Sequence, residues 1–319
     1  MNKLCQPPPA LKPGDLLRVI APSGALREYE AFDRGVEIWR KQGYKVECNN
    51  SGGDAFGYLA GTDQSRRQQL LDAWQDSECR GILCARGGYG SARILEDWTW
   101  KLGKGDKGTR GNGDREDTRH SPLTTPKWLI GFSDITNLLW SLSSVGISGV
   151  HAPVLTTLAA EPEWSIQRLF DWVEGRPIAP LTGIGWGGGV ATGMLLPANL
   201  TVATHLLGTP IFPDLEGVIL ALEDVTEAPY RIDRQLTQWR LSGALSKVRG
   251  IALGRFSRCE PPPNIPSLTI AQVLRDRLGN LNIPIVWDLP FGHDGANAAL
   301  PVGVVADLDG DKGTLIIRN

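Results

Sequence analysis

The chain has no apolar run near the roughly 20 residues that a membrane span requires, so none of its 319 residues predicts a bilayer-crossing helix. Its amino terminus, Met1 to Pro9, lacks the apolar core of a secretory signal, and the expected location is cytoplasmic. Charge of one sign is also scarce. The 33 basic and 35 acidic residues leave a net charge of −2, which gives no electrostatic case for nucleic acid or an anionic membrane as partner. The five cysteines (Cys5, Cys48, Cys79, Cys84, Cys259) form no Cys-x-x-Cys pair and are odd in number. That argues against a disulfide framework and against a thiolate metal site. The four histidines (His120, His151, His205, His293) never stand at His-x-x-x-His or His-Glu spacing, so no metal is expected. What is present is an ordinary globular composition, 41% hydrophobic and 21% charged, in a chain long enough to fill two cores.

Along the first half, short apolar runs alternate with stretches of helical period. Strands are expected at 16–21, 44–48, 81–85 and up to Ile130. Helices are expected at 28–42, 62–76, from about Ser91, and after Ser133. Such alternation predicts an α/β domain over 1–160, a parallel sheet covered on both faces, of flavodoxin-like or amidotransferase-like kind. Ligands of such sheets sit at the carboxyl ends of the strands, and the turns 22–24, 86–90 and 131–134 all fall on that rim. Residues 101–126 are glycine-rich and charged and are read as a flexible surface insertion. The stretch 161–190, with Glu161-Pro162-Glu163 and Gly185-Trp186-Gly187-Gly188-Gly189, reads as a linker. A smaller, mixed α+β domain is expected over 191–319. Its helices are expected after Asn199, at 229–241 and at 268–278; its strands at 217–222, 248–256 and 283–287, with a terminal hairpin from 302 to 317.

Three residues stand where chemistry is usually placed. Ser133, in Gly131-Phe132-Ser133-Asp134, occupies a strand-to-helix turn next to N–H groups that favour developing negative charge. Taken alone it reads as a helix cap before it reads as a nucleophile. Glu223 directly follows the apolar strand 217–222, and His293 sits in the glycine-punctuated loop Pro290 to Asn297. A serine hydroxyl attacks only when a base takes its proton and a carboxylate orients that base. Ser133, Glu223 and His293 supply those groups in the order Ser, acid, His.

The chain resembles the LD-carboxypeptidase family of serine peptidases, which includes muramoyltetrapeptide carboxypeptidases and microcin-immunity peptidases. The likeness runs through Ile20-Ala21-Pro22-Ser23-Gly24, Arg86-Gly87-Gly88-Tyr89-Gly90-Ser91-Ala92-Arg93, Ile130-Gly131-Phe132-Ser133-Asp134-Ile135-Thr136, His151-Ala152-Pro153, Leu222-Glu223-Asp224-Val225, Ala228 to Arg234, and Gly292-His293. The resemblance implies Ser133 as nucleophile, His293 as general base and Glu223 as its orienting carboxylate. It also implies an oxyanion hole from the backbone of Gly87, Gly88 and Asp134. The implied activity is a cofactor-free cytoplasmic serine carboxypeptidase of peptidoglycan recycling. It would remove the terminal D-alanine of murein tetrapeptide at an L,D bond, after a meso-diaminopimelate or lysine residue, and would act as a homodimer. Such an enzyme must also grip a free carboxylate, for which Arg86, Arg231 and Arg234 are candidates. Two alternatives stand beside it: a microcin-immunity-type peptidase cleaving peptidyl-nucleotides, and a non-catalytic α/β ligand-binding protein. The chain departs from its relatives in the 101–126 insertion and in carrying Pro197-Ala198-Asn199-Leu200 where Gly-Gly-Asn-Leu is common.

Overall fold

Residues 4–48, 55–96, 98–100, 125–261 and 263–318 are described by a computed structural model of the chain. The expected insertion at 101–126 lies outside them, apart from its last two residues.

In the first half, β1 (Leu16–Ile20), β2 (Lys45–Glu47), β3 (Cys79–Cys84), β4 (Trp128–Gly131) and β5 (Val150–His151) pair in parallel. Crossovers α1 (Tyr29–Lys41), α2 (Asp63–Gln75) and α3 (Thr136–Ser144) connect them. Helix α1 buries Phe32, Val36 and Trp39, the one-face spacing seen in the sequence. Its Gly35 is needed for close approach: a methyl group there would meet the Leu155 carbonyl oxygen of α4 (Leu155–Leu158) at 2.1 Å. Helix α2 begins where Thr62 Oγ1 accepts from the Ser65 N–H. The helix expected from Ser91 is only a 3-10 turn, Ala92–Leu95.

The stretch 161–190, read as a linker, holds α5 (Glu163–Val173), started by Pro162 and burying Leu169, Phe170 and Val173, then β6 (Leu181–Thr182) and β7 (Ile184–Gly185). The second sheet centres on four parallel strands, β8 (Val190–Asn199), β9 (Val218–Val225), β10 (Gly250–Ser257) and β11 (Ile285–Trp287). Helices α6 (Leu200–Leu206), α7 (Pro229–Leu241) and α8 (Ile270–Leu278) accompany them. The hairpin β13 (Val305–Asp309) and β14 (Thr314–Ile317) extends the sheet antiparallel beside β8, with β6 outermost, and β7 closes the other edge. The fold is thus α/β, one largely parallel sheet and one mixed sheet.

A strand and a tryptophan are among the contacts that join the halves. Strand β12 (Leu300–Pro301) leaves the second half and pairs antiparallel with β5 on the first sheet. Between the sheets, Trp140 of α3 is fully buried, donates from Nε1 to the Pro197 carbonyl at 2.9 Å, and lies 5.8 Å from the Phe212 ring. The helix that follows Ser133 is therefore held against the second half by a hydrogen bond and by apolar packing. Among the described residues, no helix is long and apolar enough to cross a membrane.

Candidate active site

Strand β4 ends at Gly131, and the next turn sets Ser133 at φ 62°, a left-handed conformation that costs a non-glycine residue about 1–2 kcal/mol. Neither the 3-10 turn Ser133–Ile135 nor α3 is capped by a side chain, so Ser133 is not serving as a cap. Its Oγ instead stands 3.1 Å from His293 Nε2, and His293 Nδ1 stands 2.6 Å from Glu223 Oε2.

Glu223 does not follow its strand, as the sequence suggested, but lies inside it. Strand β9 continues to Val225 because Asn199 of β8 pairs with Glu223 while Phe256 and Ser257 of β10 pair with Asp224 and Val225. The carboxylate is fully buried, and its Oε1 accepts from Asn199 Nδ2 at 3.1 Å. Asn199 is itself fixed, since its Oδ1 caps α6 through the Val202 N–H and its Nδ2 also reaches Asp224 Oδ1. The Asp224 carboxyl is pushed up to about 6 by burial and by the charge of Glu223, although Thr201, the Val225 N–H and Asn199 hydrogen-bond to it.

A carboxylate can only accept, so His293 Nδ1 carries the hydrogen toward Glu223 and Nε2 is left to accept from the serine hydroxyl. Burial disfavours the charged ring, but Glu223 outweighs it by charge and hydrogen bond, and His293 lies above the ordinary histidine range. The Phe132 ring packs 4.7 Å from His293 on one side and 5.8 Å from His151 on another. His151 is fully buried, and burial drives it down to about 4, so it is neutral; neither ring nitrogen has a hydrogen-bond partner among the described residues.

The three rim turns meet at this serine. A methyl group on Gly87 would stand 3.2 Å from Ser133 Cβ and 3.4 Å from its Oγ, and the Gly87 carbonyl accepts from the Gly24 N–H. Gly88 has φ 109°, so the turn against Ser133 is one that glycine adopts without strain. The Asp134 carboxylate points away into a buried network, accepting from Ser23 Oγ at 2.6 Å, the Ser91 N–H at 2.8 Å and Asn137 Nδ2 at 3.2 Å. Burial raises that carboxyl, against the pull of these donors. Fully buried Arg66 ties the same turns together, donating to the Pro22 and Gly90 carbonyls and pairing with Asp63. Arg66 and Asn137 lay outside every motif read in the sequence, and Ser23, Ser91 and Asp224, although inside the quoted stretches, were given no role there; Asn199, ahead of an apolar helical run, has the local pattern of an N-cap.

The arginines separate. Arg86 stands beside the Gly24 and Gly88 backbone and is held by both Glu28 oxygens, at 3.0 and 3.3 Å. Arg231 and Arg234 lie on α7 beside the exposed Tyr230 ring, Arg231 bonding its hydroxyl and pairing with Glu227. Neither bonds a member of the Ser–His–Glu group among the described residues. Those residues also contain no cluster of three His, Cys, Asp or Glu able to hold a metal ion. Chemically the arrangement offers a hydroxyl, an oriented base and a turn of backbone amides, the requirements of acyl transfer.

Residues 17–152 match the family of the LD-carboxypeptidase N-terminal domain, and residues 192–308 match that of its C-terminal domain. A Synechocystis protein bearing carboxypeptidase as a provisional name is 57% identical over 97% of this chain and 96% of its own. The murein tetrapeptide carboxypeptidase of Pseudomonas aeruginosa is 28% identical over 92% of this chain and 93% of its own. The muramoyltetrapeptide carboxypeptidase structure from Oxalobacter formigenes superposes with a TM-score of 0.78 at 25% identity, covering 95% of this chain and 97% of that one. The microcin C7 self immunity protein MccF shares the fold, with a TM-score of 0.80 at 20% identity over 99% of both chains.

Proposed function

The chain belongs to the LD-carboxypeptidase family, and from that premise we propose that it is a serine carboxypeptidase releasing the terminal D-alanine of murein tetrapeptide. The observation that carries the reading is the continuous hydrogen-bonded line Ser133–His293–Glu223, at 3.1 and 2.6 Å. Ser133 Oγ attacks the carbonyl preceding D-alanine as His293 Nε2 takes its proton, and the imidazolium formed is stabilised by buried Glu223. The oxyanion is met by the backbone N–H groups of the Gly87–Gly88 turn and of Asp134, dipoles fixed before the reaction begins. His293 passes the proton to the leaving amine, D-alanine departs, and a water deprotonated by the same nitrogen cleaves the acyl-enzyme to regenerate Ser133. Murein relatives and the paired halves of the family support this substrate. The boundaries 1–160 and 191–319 belong to the same proposal, nucleophile from the first half and Glu and His from the second. Incubation with murein tetrapeptide tests it, with stoichiometric D-alanine and tripeptide as the expected products. Cleavage of a peptidyl-adenylate instead of the tetrapeptide would overturn the substrate assignment. No labelling of Ser133 by a fluorophosphonate would overturn the enzyme.

A further inference from the structure

His293 stands in a loop, Pro290 to Asn297, that is rich in backbone freedom. Gly292 has φ 131° and Gly295 φ 69°, conformations that glycine takes without strain and leaves as easily. What holds the base in place is therefore the set of ties on this loop. Within the second half, the Ala298 N–H donates to the Pro290 carbonyl at 2.9 Å and the Arg255 N–H to the Phe291 carbonyl at 2.8 Å. Arg255 Nη1 donates to the Asp294 carbonyl at 2.9 Å. Asn297, 1% exposed, folds back across the loop, and its Oδ1 accepts the Gly292 N–H, one residue before His293, at 3.1 Å. Only an oxygen can face that N–H, so the orientation of the amide is fixed although its Nδ2 has no partner among the described residues.

Asn297 is held in turn from the other half. Its own N–H donates at 2.8 Å to Oε2 of Glu161, two residues ahead of α5. Helix α5 packs on the first half, with the Phe170 ring 4.9 Å from that of Trp39 in α1. The same Oε2 accepts the hydroxyl of buried Ser165, in the first turn of α5, at 2.8 Å, so the carboxylate is itself fixed. Burial pushes the Glu161 carboxyl up, against the pull of Asn297, Ser165 and the charge of Arg255. Desolvation makes a carboxylate a costly filler, and what this one reaches is the loop of the base. We propose that Glu161 is a positioning residue: through Asn297 it fixes the loop carrying His293 against the half carrying Ser133, and so sets the contact of Nε2 with Oγ. The inference rests on the function proposed above only in taking His293 as the base of Ser133. Loss of the Glu161 oxygen leaves a buried N–H without an acceptor, and the loop shifts to satisfy it. A displacement of about 1 Å at a reacting group costs about 10²-fold in rate.

The test reads labelling of Ser133 by a fluorophosphonate, which needs the base but no particular peptide. Glu161→Ala is expected to slow both labelling and kcat for D-alanine release about 10²-fold. Tetrapeptide binding, measured by calorimetry with Ser133→Ala as the reference, should change by no more than about twofold when Glu161→Ala is added, so that the loss falls on kcat. Glu161→Gln keeps one oxygen for both the Asn297 N–H and the Ser165 hydroxyl, and its rates should stay within about threefold of the parent's. Asn297→Ala breaks the second bond of the same line, so combining it with Glu161→Ala should slow labelling no more than about twofold beyond the slower single variant. Four results overturn the proposal: parent-like labelling of Glu161→Ala, a binding loss that matches its labelling loss, Glu161→Gln as slow as Glu161→Ala, or losses that multiply in the double variant. If Glu161→Ala does not fold, Glu161→Asp takes its place; it keeps the charge but withdraws the oxygen, and about tenfold slower labelling is expected. An unlabelled parent refutes the proposed function, and a labelled parent that releases no D-alanine refutes only its substrate. Unchanged labelling of the variants refutes only the role of Glu161.

Discussion

Glu223→Gln is nearly isosteric, yet the surroundings of this carboxylate predict that it inactivates the protein by reversing a hydrogen bond. Asn199 Nδ2 donates to Glu223 Oε1, and Asn199 cannot turn round because its Oδ1 accepts the Val202 N–H at 3.1 Å. A glutamine at 223 must therefore present its oxygen to Asn199 and its NH2 to His293. Facing a donor, His293 Nδ1 becomes the acceptor and the ring hydrogen moves to Nε2, where it can no longer accept the Ser133 proton. The imidazolium counter-charge is lost in the same step. Carboxylate-to-amide changes in comparable triads cost about 10⁴-fold in kcat, which corresponds to roughly 5.5 kcal/mol of transition-state stabilisation. Glu223→Gln should match that loss in D-alanine release and slow fluorophosphonate labelling of Ser133 in parallel, with the thermal midpoint near the parent's. Nitrogen NMR of His293 should show the exchanged tautomer. A variant retaining kcat within about tenfold of the parent would refute the reasoning, because catalysis would then not depend on which ring nitrogen holds the hydrogen.

Other outcomes follow from the same geometry. Because Glu223 raises His293 and the neutral ring is the base, kcat/KM should fall as pH drops through a midpoint above the usual histidine value; a flat acid limb would remove His293 from the role. Gly87→Ala puts a methyl group 3.2 Å from Ser133 Cβ, and about 10²-fold lower kcat with unchanged folding is expected; unimpaired turnover would free that turn from the oxyanion hole. Ser133→Gly abolishes activity but relieves the φ 62° conformation, raising unfolding free energy by about 1 kcal/mol in urea titrations; a less stable variant would contradict the strain. His151 is neutral and pushed down to about 4, so the folded protein loses stability as pH falls from the unfolded value near 6.5 toward 4. His151→Leu should remove that loss, shifting the stability difference from the parent by about 3 kcal/mol between pH 7 and pH 4; a pH-independent difference would refute it.

The parts of the fold legible in the sequence are those whose signal is local. Helix α7 begins at Pro229 and buries Ile232, Leu236 and Trp239, so both its start and its face were written in one stretch. Strands β5, β6, β7 and β12 are two residues each, too short for any period, and exist because a partner strand lies alongside. The glycines of 185–189 masked β7 for the same reason. In the site, Ser133, Glu223 and His293 could be named because a serine on a strand-to-helix turn, an acid after an apolar run and a loop histidine all fall in stretches that resemble the family, although Glu223 proved to lie inside its strand. Arg66 could not be found that way: it reads as one more charged residue of α2, and only the folded rim shows its guanidinium beneath the Pro22 and Gly90 carbonyls. A helix was expected after Asn199, which caps it, while its second task at Glu223 depends on β8 and β9 lying side by side. The arginines proposed for the carboxylate were chosen by charge alone, and which of them lies near Ser133 is not visible in one dimension.

The return of β12 to the first sheet limits how such a chain can diversify. A protein made of two separable modules can exchange one of them with a relative by recombination at the junction. Here a crossover near residue 190 would import, only a few residues after His293, the strand that must fit the edge of the other parent's β5. A chimera would begin with a mismatched seam a few residues from His293, a cost that changing side chains around the cleft would not carry.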